Sequence, residues 1–185
     1  MSVIVGISGS LRAKSYNTAL LNAAARLMPH DATLDVASIQ GIPLYDGDLE
    51  EREGMPAAVS ALKARIANAD GLLLVTPEYN NSIPGVFKNA IDWLSRGDAK
   101  QVFANRPVAL IGASPGGFGT ILAQQAWLQV LRTLQTRPWF EGRLQVSHAA
   151  QAFDDNGELI DDKIRAQLKN FLQGFADFVR REAGR

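Results

Sequence analysis

Short apolar runs alternate along this chain with longer segments whose apolar positions recur every three or four residues. Val3 to Ile7 is β-branched and runs into Ser8-Gly9-Ser10, which predicts a first strand followed by a turn. Ala19, Leu20, Ala23, Ala24 and Leu27 then mark one face of a helix over Tyr16 to Met28, stopped by Pro29. Thr33 to Ser38 alternates like a half-buried strand. Ile39 to Met55, rich in glycine and acid and without a period, reads as a long surface connection. Pro56 opens a helix reaching about Asn68, and Gly71 to Thr76 is a continuous apolar run of the kind buried on both faces, so it should be the central strand. A helix from Pro84 to about Ser95, a buried strand over Pro107 to Ala113 and a long helix over Phe118 to Gln135 follow. Trp139 to Val146 is expected to contain the fifth strand, Asp154-Asp155-Asn156-Gly157 a turn, and Ile160 to Glu182 an amphipathic closing helix.

This alternation predicts a parallel sheet with helices on both faces, joined by right-handed crossovers. At 185 residues, the whole chain is expected to form one domain, 1–185. In such sheets a ligand sits beyond the carboxyl ends of the strands, where the strand order reverses. The loops after strands one, three and four are therefore where function is expected.

Composition narrows the partners. Lysine plus arginine and aspartate plus glutamate number 19 each, so no excess positive field collects nucleic acid or an anionic membrane. With no cysteine, disulfides, thiolate metal sites and cysteine nucleophiles are excluded. A strand-like run begins at residue 3 with no basic leader before it, and no long apolar span follows; a cytoplasmic protein is expected. His30 and His148 are read as surface or packing residues. Asp46, Asp48, Glu50, Glu51 and Glu53 lack the ligand spacing of a calcium loop and are read as solvated, so no metal site is expected. Trp127, Trp139 and Phe140 are assigned to the core unless an oligomer buries them.

The first loop, Gly9 to Thr18, is dense in hydroxyls and leads directly into a helix, whose free N–H groups carry partial positive charge and suit a phosphate. Ser10, Ser15 and Thr18 add donors and Arg12 a charged fork. In the alternative, Ser15 only caps the helix and Arg12 is solvated. Neither G-x-G-x-x-G nor G-x-x-x-x-G-K-[ST] is present, which favours a single terminal phosphate over the middle of a dinucleotide or the tail of a triphosphate. The loop from Thr76 to Gly85 is stiffened by two prolines; its backbone could read the edge of a flat heteroaromatic ring while Tyr79 covers apolar surface, or it could be an ordinary turn. Ser114 to Thr120 carries three glycines and leads into a helix with further free N–H groups, features shared by any flexible strand-to-helix connection.

Taken together, GSLRAKSYN (9 to 17), TPEYNNSIPGVFKNAIDWLS (76 to 95) and SPGGFG (114 to 119) resemble the NADPH-dependent FMN reductase family, which includes quinone, azo-dye and chromate reductases. The resemblance spans nearly the whole chain, resting after about residue 135 on the order of elements alone. It implies a flavodoxin-like three-layer α/β sandwich, with a five-stranded parallel sheet in the order 2-1-3-4-5 and helices on both faces. It implies FMN (flavin mononucleotide) as cofactor, with Ser10, Arg12, Ser15, Tyr16, Asn17 and Thr18 holding its phosphate. Pro77, Glu78, Tyr79 and Asn80 would lie along the ring, mostly through backbone atoms, with Ser114, Gly116 and Gly117 near its other side. Asp92, in the Asn89 to Trp93 helix, would be a support. Family members are homodimers or homotetramers, and the same is implied here.

Such chemistry needs no protein nucleophile or catalytic acid, because the cofactor carries the hydride. NADPH or NADH would be the electron donor, and a small molecule (a quinone, azo compound, flavin or metal oxyanion) the acceptor, in a ping-pong cycle. The rival reading is a flavodoxin-like electron carrier serving a protein partner; such carriers rely on a strongly acidic docking face, whereas this chain is formally neutral. A third is a flavin-binding regulatory domain without turnover.

Overall fold

In the computed structural model, which describes residues 1–184, six strands and eight helices alternate. They run β1 (Ser2–Ser8), α1 (Tyr16–Arg26), β2 (Ala32–Ala37), α2 (Gly47–Glu53), α3 (Ala57–Ala67), β3 (Gly71–Val75), α4 (Gly85–Leu94) and α5 (Ala99–Phe103). The second half runs β4 (Pro107–Ala113), α6 (Ile121–Thr133), β5 (Arg137–Pro138), β6 (Gln145–Val146), α7 (Ala149–Ala152) and α8 (Asp162–Ala183). All pairings between these strands are parallel, in the order β2-β1-β3-β4-β5, with β6 also on β4. That is the expected flavodoxin-like order, and the strands of periodic sequence lie within a residue or two of their expected bounds.

The period of two along each strand builds two cores. Ile4, Leu73, Val75 and Ile111 pack against Leu20 and Leu21 of α1 and Phe171 and Phe175 of α8. Val5, Ile7, Leu72 and Leu74 face the other way, onto Leu62 of α3, Phe87 and Trp93 of α4 and Trp127 of α6. β3 is buried throughout, as its unbroken apolar run predicts.

The expected fifth strand is instead two short pieces. β5 pairs with Pro107 and Val108, β6 with Gly112 and Ala113, and the chain leaves the sheet between them. The cause is Trp139, whose ring packs 4.9 Å from Phe171 and 5.8 Å from Phe175. A Cβ on Gly142 or Gly174 would fall 2.4 Å or 2.8 Å from that ring, so both glycines make room for it. Trp127 and Trp139 are core residues as expected, but Phe140 is 65% exposed, because the detour that seats Trp139 turns its neighbour outward.

The connection from Ile39 to Met55 contains α2, which Asp46 caps by accepting the N–H groups of Asp48 (2.9 Å) and Leu49 (3.4 Å). None of its residues is buried, so no apolar period marked it. Helices α5 and α7, five and four residues long, are too short to show one.

At the amino-terminal edge of the sheet, Arg106 donates to the carbonyls of Val102 and Gln101, each at 2.9 Å, and to that of Ala69. Burial pushes its pKa below the ordinary arginine value, with Asp70 opposing the shift. No helix among the described residues is long and apolar enough to cross a membrane.

Candidate functional site

The loops after β1, β3 and β4 meet at the carboxyl edge of the sheet. The first leaves β1 through Gly9, whose N–H donates to Val75 O at 2.9 Å; a Cβ there would fall 2.1 Å from the Phe87 ring. Ser15 caps α1, its Oγ accepting the N–H groups of Asn17 (3.2 Å) and Thr18 (3.3 Å). Asn17 is buried and joins two loops: its Nδ2 donates to Ala113 O at 2.8 Å and its Oδ1 accepts Ala113 N–H at 2.9 Å. The Thr18 and Ser8 hydroxyls pair at 3.0 Å, and the Tyr16 ring stacks on Phe153. Ser15 thus caps α1, and Ser15, Tyr16, Asn17 and Thr18 all have internal partners.

What faces outward is a smaller set. Ser10 Oγ accepts Arg12 N–H at 3.3 Å, leaving its own proton for another acceptor. Arg12 and Lys14 are exposed and make no ion pair or side-chain hydrogen bond among the described residues. A cavity of about 330 Å³ adjoins them, lined by Arg12, Lys14, Ser15 and Thr18 on one side and by the Asp154–Glu158 turn on the other. Unpaired cations, a free hydroxyl proton and a bend feeding a helix start form a donor set that fits one phosphate.

The second loop is a tight hairpin. Tyr79 and Ser82 exchange backbone hydrogen bonds of 3.1 and 3.0 Å across Asn80 and Asn81, whose φ values of 51° and 61° are left-handed. Asparagine tolerates that conformation best among side-chain-bearing residues, which explains the Asn-Asn pair. Thr76 Oγ1 accepts Trp127 Nε1–H at 3.0 Å, fixing the loop's root, and Tyr79 is exposed at its tip. Glu78 Oε2 accepts the N–H groups of both Leu122 and Ala123 at 2.9 Å. Glu78 thus satisfies two of the N–H groups that the start of α6 would otherwise leave free.

In the third loop Ser114 Oγ donates to Gly119 O at 2.6 Å. Gly119 has φ 62° and lies so close to Gln145 that a Cβ would fall 2.9 Å from it, so the surface approaching this glycine belongs to the chain itself. Gly116 and Gly117 are exposed, and Gly116 O accepts His148 N–H at 3.1 Å. Leu11, Tyr79, Phe118, Ile121 and Leu122 are exposed apolar residues on these loops and the start of α6.

Two features had no signal in the sequence pattern. The link from Glu78 to α6 spans 44 residues. The Asn89 to Trp93 motif proves to be a clasp: Asn89 accepts Tyr45 N–H and donates to Pro43 O, both at 2.8 Å, and Trp93 Nε1–H donates to Pro43 O at 2.9 Å. Arg96 completes it by donating to Glu50 at 2.9 Å, and that hydrogen bond raises the arginine pKa. Asp92 accepts Lys88 Nζ at 2.6 Å, one helical turn away. His30 is exposed beside Asp31, at the opposite edge of the sheet.

Comparison with known proteins identifies the family. The profile of a family described as NADPH-dependent FMN reductase matches residues 2–151. An NAD(P)H-dependent FMN reductase of Pseudomonas aeruginosa is 45% identical, covering 98% of this chain and 97% of its own. A 2-hydroxy-1,4-benzoquinone reductase of a Burkholderia species is 40% identical over 96% of each chain. The solved structure of the flavoenzyme NAD(P)H:(acceptor) oxidoreductase FerB from Paracoccus denitrificans superposes with a TM-score of 0.87 at 32% identity, covering 98% of this chain and 99% of that one. The chain therefore belongs to the NADPH-dependent FMN reductase family.

Proposed function

We propose that the carboxyl edge of this sheet holds FMN and that the protein is an NAD(P)H-dependent oxidoreductase reducing small acceptors, quinones foremost. The observation that carries this reading is the pair of unpartnered cations, Arg12 and Lys14, at the bend entering α1, in a chain whose family is defined by FMN chemistry. Arg12, the Ser10 hydroxyl and the backbone N–H groups of the bend hold the phosphate. Ser15, Tyr16, Asn17 and Thr18 shape that bend from behind. The backbone of Pro77, Glu78, Tyr79 and Asn80 lies along the ring, and Ser114, Gly116 and Gly117 border its other side.

When bound, FMN would supply the redox chemistry, hydride exchange with the nicotinamide and two-electron reduction of the acceptor. The residues of the chain orient the reactants and exclude water, and no side chain acts as nucleophile, acid or base. The open apolar rim admits quinones and also azo compounds, free flavins and metal oxyanions such as chromate. Exposed apolar residues at the start of α6, Phe118, Ile121 and Leu122 above all, favour assembly as a homodimer or homotetramer. We place the protein in the cytoplasm.

An electron carrier would bind the same cofactor but consume little NADPH. The deciding experiment mixes protein, FMN and excess NADPH anaerobically, then adds a benzoquinone. Bleaching of the flavin absorbance on a catalytic timescale, followed by its return with quinone, is expected. A flavin that binds but stays oxidised would favour the carrier.

A further inference from the structure

His148 lies on the fourth loop of the carboxyl edge, the one that follows β6, and combines strain with position. Its φ of 48° and ψ of 45° are left-handed, a conformation disfavoured for a non-glycine residue. Three hydrogen bonds hold it there: His148 N–H to Gly116 O at 3.1 Å, Ala149 N–H to Ser114 O at 3.0 Å, and Gln151 N–H to His148 O at 2.8 Å. Two of them run to the loop assigned to one side of the flavin.

The side chain is exposed and turned toward that loop. A Cβ placed on Gly117 would stand 3.6 Å from His148 Nε2 and 3.7 Å from Cε1, so the imidazole borders the glycine whose bare backbone opens the site. The imidazole has no hydrogen bond or ion pair among the described residues. The charged groups facing it are Asp161 and Lys163, which share with it a cavity of about 290 Å³ at the start of α8. Asp161 is already occupied, its Oδ1 accepting Ile164 N–H at 2.9 Å. Ser114 to Phe118 carry no charge.

We propose that His148 contacts the bound cofactor and biases it toward its reduced state. This inference rests on the placement of FMN proposed above. Reduction adds two electrons and one proton to the flavin and leaves negative charge on its pyrimidine half. An imidazole presenting an N–H toward that charge, as a neutral donor or as a cation, stabilises the reduced state more than the oxidised one.

The test is the midpoint potential of bound FMN, measured spectroelectrochemically in the wild type and in His148→Asn, together with the Kd for oxidised FMN. Asparagine adopts the left-handed region readily, so the backbone is kept while the imidazole is removed. His148→Gly serves as a second conformation-permissive variant. Both variants are expected to bind oxidised FMN within about twofold of wild type and to show a potential lower by about 30 mV, which corresponds to a tenfold change in the ratio of affinities for the two redox states of a two-electron couple. Normal binding with an unchanged potential in either variant would overturn the inference, as would loss of FMN in both, which would make His148 a structural residue. If the wild type itself does not bind FMN, the cofactor reading and this inference fall together.

Discussion

At the amino-terminal edge of the sheet the polar groups are matched to one another. Arg106 donates into four backbone carbonyls, Arg137 meets Glu182, and Arg180 meets both Asp31 and Asp177. At the carboxyl edge, Arg12 and Lys14 meet nothing within the described residues, two successive asparagines sit in left-handed conformations, and Leu11, Tyr79 and Phe118 face outward. One edge is completed by its own chain, whereas the other is rigid underneath and unsatisfied on top. The difference separates residues that build the site from residues that await something in it. Several polar side chains of the first loop belong to the first class, although composition alone groups them with the second.

That division can be broken by substitution. Asn17→Ala removes two buried hydrogen bonds and leaves the N–H and C=O of Ala113 unsatisfied, so a loss of about 2–4 kcal/mol of stability is expected in denaturant titration. Little loss there would remove Asn17 from the frame. Arg12→Ala should behave oppositely, leaving the melting temperature of the cofactor-free protein unchanged while weakening FMN binding by about 1.5–3 kcal/mol, or roughly 10- to 150-fold, in a fluorescence-quenching titration. Glu78→Ala frees two helix N–H groups and should lower stability by about 0.5–2 kcal/mol, with Glu78→Gln, which keeps an acceptor oxygen, restoring most of it. Arg180→Ala, at the matched edge, removes only solvent-exposed ion pairs; a change of at most about 1 kcal/mol and no change in FMN affinity are expected.

The sheet was legible because its strands are apolar runs bounded by glycine, proline and hydroxyl residues, and because the helices that cover it carry a buried stripe. Type and bounds followed from that pattern for β1 to β4 and for α1, α3, α4, α6 and α8, while the strand order was implied by the family resemblance. β5 and β6 did not, since their split depends on the room that Gly142 and Gly174 leave for Trp139, a contact between distant segments. Helix α2 was hidden because it buries nothing. At the site, the three loops could be found from topology and turn residues, but the inward or outward direction of each polar group could not. Ser10, Ser15 and Thr18 are alike as hydroxyls; only the cap at Ser15 and the partner at Ser8 tell them apart. Glu78 and His148 acquire meaning from elements 44 and 32 residues away, α6 and the loop after β4.

The phosphate assignment can be isolated by comparing two ligands that share one ring system. Calorimetric titration of the cofactor-free protein with FMN and with riboflavin, which lacks only the phosphate, separates the anion's contribution from that of the ring. Contacts between a phosphate and an arginine fork of about 1.5–3 kcal/mol predict FMN binding at least 10-fold tighter than riboflavin, with the gap narrowing as salt rises. Equal affinity for the two would contradict the account.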